Sequence, residues 1–115
     1  MKSKNYGISV TGRNNTINKN KVIKNKKNGI TVTGSQNKLK NNIANANKLN
    51  GILVVGYGNT LSKNNINKNK HGIKLIGNKN VLYKNTAKYS KLHGFRIVGS
   101  INKLSKNNLG KKKNM

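Results

Sequence analysis

Gly51-Ile52-Leu53-Val54-Val55-Gly56-Tyr57-Gly58-Asn59-Thr60-Leu61-Ser62-Lys63-Asn64 places apolar residues at alternate positions between two glycines, then Asn, Leu and Asn at fixed spacing. The same order recurs upstream and downstream. Its first glycine returns as Gly7, Gly29, Gly51, Gly72 and Gly94, at intervals of 22, 22, 21 and 22 residues. Its second returns as Gly12, Gly34, Gly56, Gly77 and Gly99 at the same intervals. One unit is therefore written five times. Repeats of this period stack on one another and do not fold around a single globular core.

Counting the first glycine of each unit as place one gives every residue a register. Place two is Ile8, Ile30, Ile52, Ile73, Phe95, and place four is Val10, Val32, Val54, Leu75, Ile97. Place eleven is Ile17, Leu39, Leu61, Leu82, Leu104, and place sixteen is Val22, Ala44, Ile66, Ala87, Leu109. Apolar places two and four around a mostly polar place three give the period of a strand. No stretch carries the stripe of an amphipathic helix. Asn and Gly stand between the apolar places and are expected to supply the left-handed turn positions.

Asparagine forms rows of its own. Place nine is Asn15, Asn37, Asn59, Asn80, Asn102; place fourteen is Asn20, Asn42, Asn64, Asn85, Asn107; place nineteen is Asn25, Asn47, Asn69 and then Ser90. Stacked amides can hydrogen-bond along such a row and satisfy turn backbone groups that would otherwise be buried unpaired. Three corners per unit imply three short strands per turn. The shortened interval falls after Asn69, where it trims the last corner without moving an inward place.

This G-I-x-V-x-G-x-x-N-x-L-x-x-N pattern resembles the right-handed parallel β-helix repeats of the pectate-lyase-like superfamily. It is similar to those of the carbohydrate-binding and sugar-hydrolase group that includes NosD-type periplasmic proteins. The resemblance implies an all-β, right-handed parallel β-helix of about five 22-residue coils over residues 6–110, with short basic tails at 1–5 and 111–115. It also implies a secreted or cell-surface parent, although no signal peptide is visible in this chain. The tails are too short to form an amphipathic lid. The chain is therefore expected to be a fragment of a longer β-helix, or to associate end to end.

Composition limits the chemistry. The chain has 25 basic residues and no Asp, Glu or Cys. With acids at about an eighth of residues, their absence by chance is on the order of one in a million. Two-carboxylate glycoside hydrolysis is excluded, as are acid-oriented triads and disulfides. No carboxylate remains for a hard cation, so the calcium that the resemblance associates with lyases of this fold has no ligands here. The expectation is a non-enzymatic protein without a cofactor. Arg96 is the one candidate base on a strand face, and it reads as a solvated outward residue.

Two features remain for binding. His71 and His93 share place twenty-two with Asn28 and Asn50, as a polar corner ladder or, alternatively, a Cu²⁺ or Zn²⁺ pair without a third ligand. Lysines align in two rows: Lys26, Lys48, Lys70, Lys91 at place twenty, and Lys19, Lys63, Lys84, Lys106 at place thirteen, broken once by Asn41. Stacking would set the lysines of a row at the coil spacing, well inside the ~8 Å Debye length, so an anionic polymer along it would relieve repulsion. Acidic polysaccharides and cell-wall polymers rank ahead of nucleic acid, because Tyr6, Tyr57, Tyr83 and Tyr89 share no place and form no stacking platform. An inert spacer of a longer surface protein is the second hypothesis. Place five, Thr11, Thr33, Val55, Ile76, Val98, could add a modest apolar stripe. No segment is long and apolar enough to span a membrane.

Overall fold

The computed structural model describes residues 7–108. The first coil contributes strands β1 (Ile8–Arg13), β2 (Thr16–Asn18) and β3 (Lys21–Ile23). The second contributes β4 (Ile30–Ser35), β5 (Lys38–Lys40) and β6 (Ile43–Asn45). The third contributes β7 (Asn50–Tyr57) and β8 (Thr60–Ser62), the fourth β9 (His71–Ile76) and β10 (Val81–Tyr83), the fifth β11 (His93–Val98) and β12 (Lys103–Ser105). All pairs are parallel, and no helix occurs among the described residues. The molecule is a β-solenoid of about four turns with a further coil begun.

Stacking follows the repeat. The first sheet runs β1-β4-β7-β9-β11 and the second β2-β5-β8-β10-β12, each strand lying beside its copies in the neighbouring coils. Ile8 opposes Ile30, Ile30 opposes Ile52, Ile52 opposes Ile73, and Ile73 opposes Phe95. The one-residue deletion after Asn69 leaves this register intact, since Val54 still opposes Leu75. In the middle coils places two, four, eleven and sixteen are fully buried and form one core. At the two ends Ile8, Val10, Phe95 and Ile97 only pack against that core. Leu104, at inward place eleven, is exposed because no described coil lies beyond it to cover it. Leu109 lies outside the described residues.

The expectation of three short strands per turn needs correction. The first strand is long, with six to eight residues. The third strand forms in the first two coils alone and continues as single bridges, Ile43 to Asn65, Asn65 to Thr86 and Thr86 to Asn108. Side-chain amides divert its backbone donors. The Asn67 N–H donates to Asn45 Oδ1 at 2.8 Å and the Lys88 N–H to Asn67 Oδ1 at 3.0 Å, where a regular ladder would use carbonyls.

The asparagine ladders are continuous. Asn42 donates its N–H and its Nδ2 to Asn64 Oδ1, both at 3.0 Å, and Asn64 does the same to Asn85 at 3.1 and 2.9 Å. The same Nδ2 of Asn64 also donates back to the Leu39 carbonyl at 2.9 Å. Asn42, Asn64 and Asn85 thus each join three coils, with the side-chain oxygen accepting and Nδ2 donating twice.

The left-handed corner residues are not the ladder asparagines. They are the residues just before them, such as Asn14, Lys19 and Lys24 in the first coil, with φ of 56–57°. Most are lysines. The ladder asparagine is thereby spared a positive φ and keeps its amide buried, and the preceding residue absorbs the bend. Gly12, Gly34, Gly56, Gly77 and Gly99 do need to be glycine: φ is 136–146°, and from Gly34 onward an added Cβ would overlap the carbonyl of the glycine one coil earlier.

Candidate polyanion-binding corners

The corner between the second and third sides carries Lys19, Lys63, Lys84 and Lys106. Each sits at the left-handed position, with φ of 57, 55, 56 and 56°. The backbone fixes them there: the Lys63 N–H donates to the Tyr83 carbonyl at 3.0 Å and the Lys84 N–H to the Ser105 carbonyl at 3.1 Å. A left-handed residue at a sharp bend turns its side chain away from the coil, and all four lysines are exposed. Lys84 Nζ lies 5.2 Å over the Tyr83 ring, a cation–π contact. Asn41 takes the same left-handed position in the one coil that lacks the lysine.

The corner between the third and first sides carries Lys26, Lys48, Lys70 and Lys91, again all exposed. Here the lysine follows the ladder residue. The Lys48 N–H donates to the Asn25 carbonyl at 3.0 Å and the Lys91 N–H to the Asn69 carbonyl at 2.9 Å, so these backbones are tied to the coil above. Both rows named from the sequence are therefore assembled along the stacking axis at the ~4.8 Å spacing of parallel strands, except that Asn41 doubles the step between Lys19 and Lys63. With no Asp or Glu in the chain, no side-chain carboxylate neutralises them.

The sequence reading missed part of the second of these corners. Lys24 and Lys68, at left-handed positions, belong to it and are exposed. So do three apolar side chains, Leu49, Tyr89 and Leu92. The signal was present, since all three fall at outward places, but the deletion after Asn69 removes the residue between Leu49 and Leu92, and Tyr89 stands in a row otherwise made of Lys24, Ala46 and Lys68.

The first sheet exposes Thr11, Thr33, Ile76 and Val98 at place five, with Val55 half-buried between them, so this stripe does face outward. Arg96 is exposed on the same face. Two concave features measure about 260 Å³, against Phe95 and Leu104 at the last described coil, and about 200 Å³, beside Asn15 and Lys38. Both fall below the ~300–1,000 Å³ of ordinary small-molecule sites.

The chain matches, over residues 4–113, the family described as a right handed beta helix region. It belongs to the right-handed β-helix family. No curated protein and no solved structure matches it. A β-helix holds every outward place in a straight file, and that property makes lines of ammonium groups from single lysines per coil.

The histidine corner of this β-helix is a partial ladder. Asn50 donates its N–H and Nδ2 to Asn28 Oδ1 at 3.1 and 2.9 Å, and Asn28 donates to Thr31 Oγ1 at 3.1 Å. This row points the opposite way from the other ladders. His71 stands opposite Asn50 and His93 opposite His71 in backbone register. The side chain of His93 lies outside what the structure describes. Asn50 Oδ1 is buried without a partner. Among the described residues no group of three His, Cys, Asp or Glu is placed to hold a metal ion.

Proposed function

We propose that this β-helix is a non-enzymatic structural or adhesive module that holds an anionic polymer along its lysine rows. One observation carries the reading: two files of exposed lysines, one unbroken and one interrupted at Asn41, run along the stack, and the chain has no side-chain carboxylate to compete for them. Neighbouring ammonium groups one coil apart lie within a Debye length and repel, and a polyanion laid along the file converts that repulsion into attraction. Acidic polysaccharide or a cell-wall polymer is the favoured ligand. Such a ligand needs charge alone, and the exposed tyrosines, Tyr57 and Tyr89, lie on different sides and provide no stacking platform for bases. A secreted or surface location follows from the same reading. An inert spacer, whose charge serves solubility, is the competing role.

Salt titration separates them. Binding to heparin, teichoic acid or single-stranded DNA should weaken steeply as salt rises, through counterion release. The variant K26Q/K48Q/K70Q/K91Q should lose about 3 units of log–log slope on single-stranded DNA, at ~0.7 per phosphate contact. The variant K38Q/K40Q/K79Q/K103Q removes equal charge from exposed positions that form no file. It should lose less. Equal losses from both would reduce the site to net charge, and indifference of the parent protein to all three polymers would leave the spacer role.

A further inference from the structure

The two lysine corners differ in what stands among the lysines. The corner of Lys19, Lys63, Lys84 and Lys106 is bordered mainly by polar residues, with Asn18, Ser62 and Ser105 before it. The other corner also exposes Leu49 by 38 %, Tyr89 by 60 % and Leu92 by 42 %. Leu49 and Leu92 share place twenty-one, two coils apart, and both are held there by the backbone. The Leu49 N–H donates to the Lys27 carbonyl at 3.0 Å and the Leu92 N–H to the Lys70 carbonyl at 2.9 Å. Tyr89 stands at the left-handed corner position, φ 57°, where an aromatic residue is unusual and turns its ring outward.

We infer that this corner is a ridge that lies on an anionic lipid bilayer. The inference rests on the reading of the Lys26, Lys48, Lys70, Lys91 file as an anion-binding line. A dissolved polymer gains nothing from leucine, whereas a bilayer interface takes both groups at one depth. Lysine stems reach up to the phosphates while Leu and Tyr enter the boundary between headgroup and acyl chain. Each lysine near an anionic surface raises partitioning about fivefold. A β-helix file is straight, so its lysines and both leucines reach a planar surface together. The chain brings no carboxylate that such a surface would repel. No helix among the described residues is long and apolar enough to cross a membrane, so the contact proposed is a peripheral one.

Sedimentation with vesicles of equal parts phosphatidylglycerol and phosphatidylcholine tests the ridge, with inorganic polyphosphate as a ligand that offers charge alone. The parent protein should bind both, and should not bind pure phosphatidylcholine. The variant L49S/Y89N/L92S should lose at least tenfold in vesicle partitioning, keep its polyphosphate affinity within twofold, and keep the β-type circular dichroism and cooperative unfolding of the parent, which show that it is folded. Asn is chosen at position 89 because it suits the left-handed backbone. Vesicle binding by the triple variant equal to that of the parent overturns the inference. So does a parent that binds polyphosphate and heparin but not vesicles, and this outcome leaves the proposed function standing. A parent that binds none of these ligands overturns both.

Discussion

The corner that follows the second side and the corner that follows the third are built from the same parts and kept to different standards. At the former, five asparagines from Asn20 to Asn107 form an unbroken ladder, and every coil has a residue at each place. At the latter, the ladder runs from Asn25 through Asn47 to Asn69 and stops at Ser90, whose buried Oγ has no partner. One residue is also missing there after Asn69, and from the third coil onward the third strand has shrunk to bridges. The lysine file is unbroken at the relaxed corner and broken at the strict one. Internal register and external decoration are therefore specified separately, since the inward places stay aligned through both.

The sharpest way to break this comparison is to remove an amide from each corner. Asn64→Ala deletes four side-chain hydrogen bonds and strands the Asn42 N–H in the interior. Chemical denaturation should show a loss of about 3–5 kcal/mol, because each buried group left unpaired costs ~1–3 kcal/mol. Ser90→Ala removes a hydroxyl that makes no bond and should stay within ~0.5 kcal/mol of the parent. Similar costs for the two would mean that the corners are equally strict.

Repairing the relaxed corner is the next test. Ser90→Asn should let Asn69 donate along the row, as Asn47 donates to Asn69 at 2.7 and 3.1 Å, and raise stability by about 1 kcal/mol. No gain in the unfolding midpoint would show that the deletion has already moved this corner out of ladder geometry.

The smallest effect concerns the lysines themselves. Lys48→Gln should be neutral or stabilise by a few tenths of a kcal/mol at low salt, with the gain vanishing at high salt where the file is screened. Destabilisation would mean that Lys48 packs its stem on the coil and is more than a surface charge.

Much of this could be foreseen from residue types and spacing. The intervals of Gly7, Gly29 and Gly51 gave the coil, and the alternation Ile52-Leu53-Val54 gave the side that faces inward. Place-fourteen asparagines gave a ladder that the hydrogen bonds reproduce. The left-handed residues were not foreseen. Lysine has no special tolerance for positive φ, and it holds Lys19, Lys63 and Lys84 there because stacking imposes the bend on whatever residue precedes the asparagine. The loss of the third strand after Asn45 was equally hidden, since it depends on which carbonyl or amide the Asn67 N–H finds in the coil above.

The binding corners divide the same way. A file such as Lys26, Lys48, Lys70 and Lys91 is legible once a period is known, because equal spacing in the chain becomes adjacency in the stack. That Leu49, Tyr89 and Leu92 share a corner with those lysines is not legible. Each lies in a row that the deletion or a substitution interrupts, and only the stacked coils bring them to one edge. The sequence by itself determined the coil, the inward rows and the lines of charge, because all three repeat with the backbone. The tertiary structure decided which residues bend, which amides pair and which apolar side chains stay exposed, because those depend on neighbours 21 to 25 residues away that touch only when the coils are stacked.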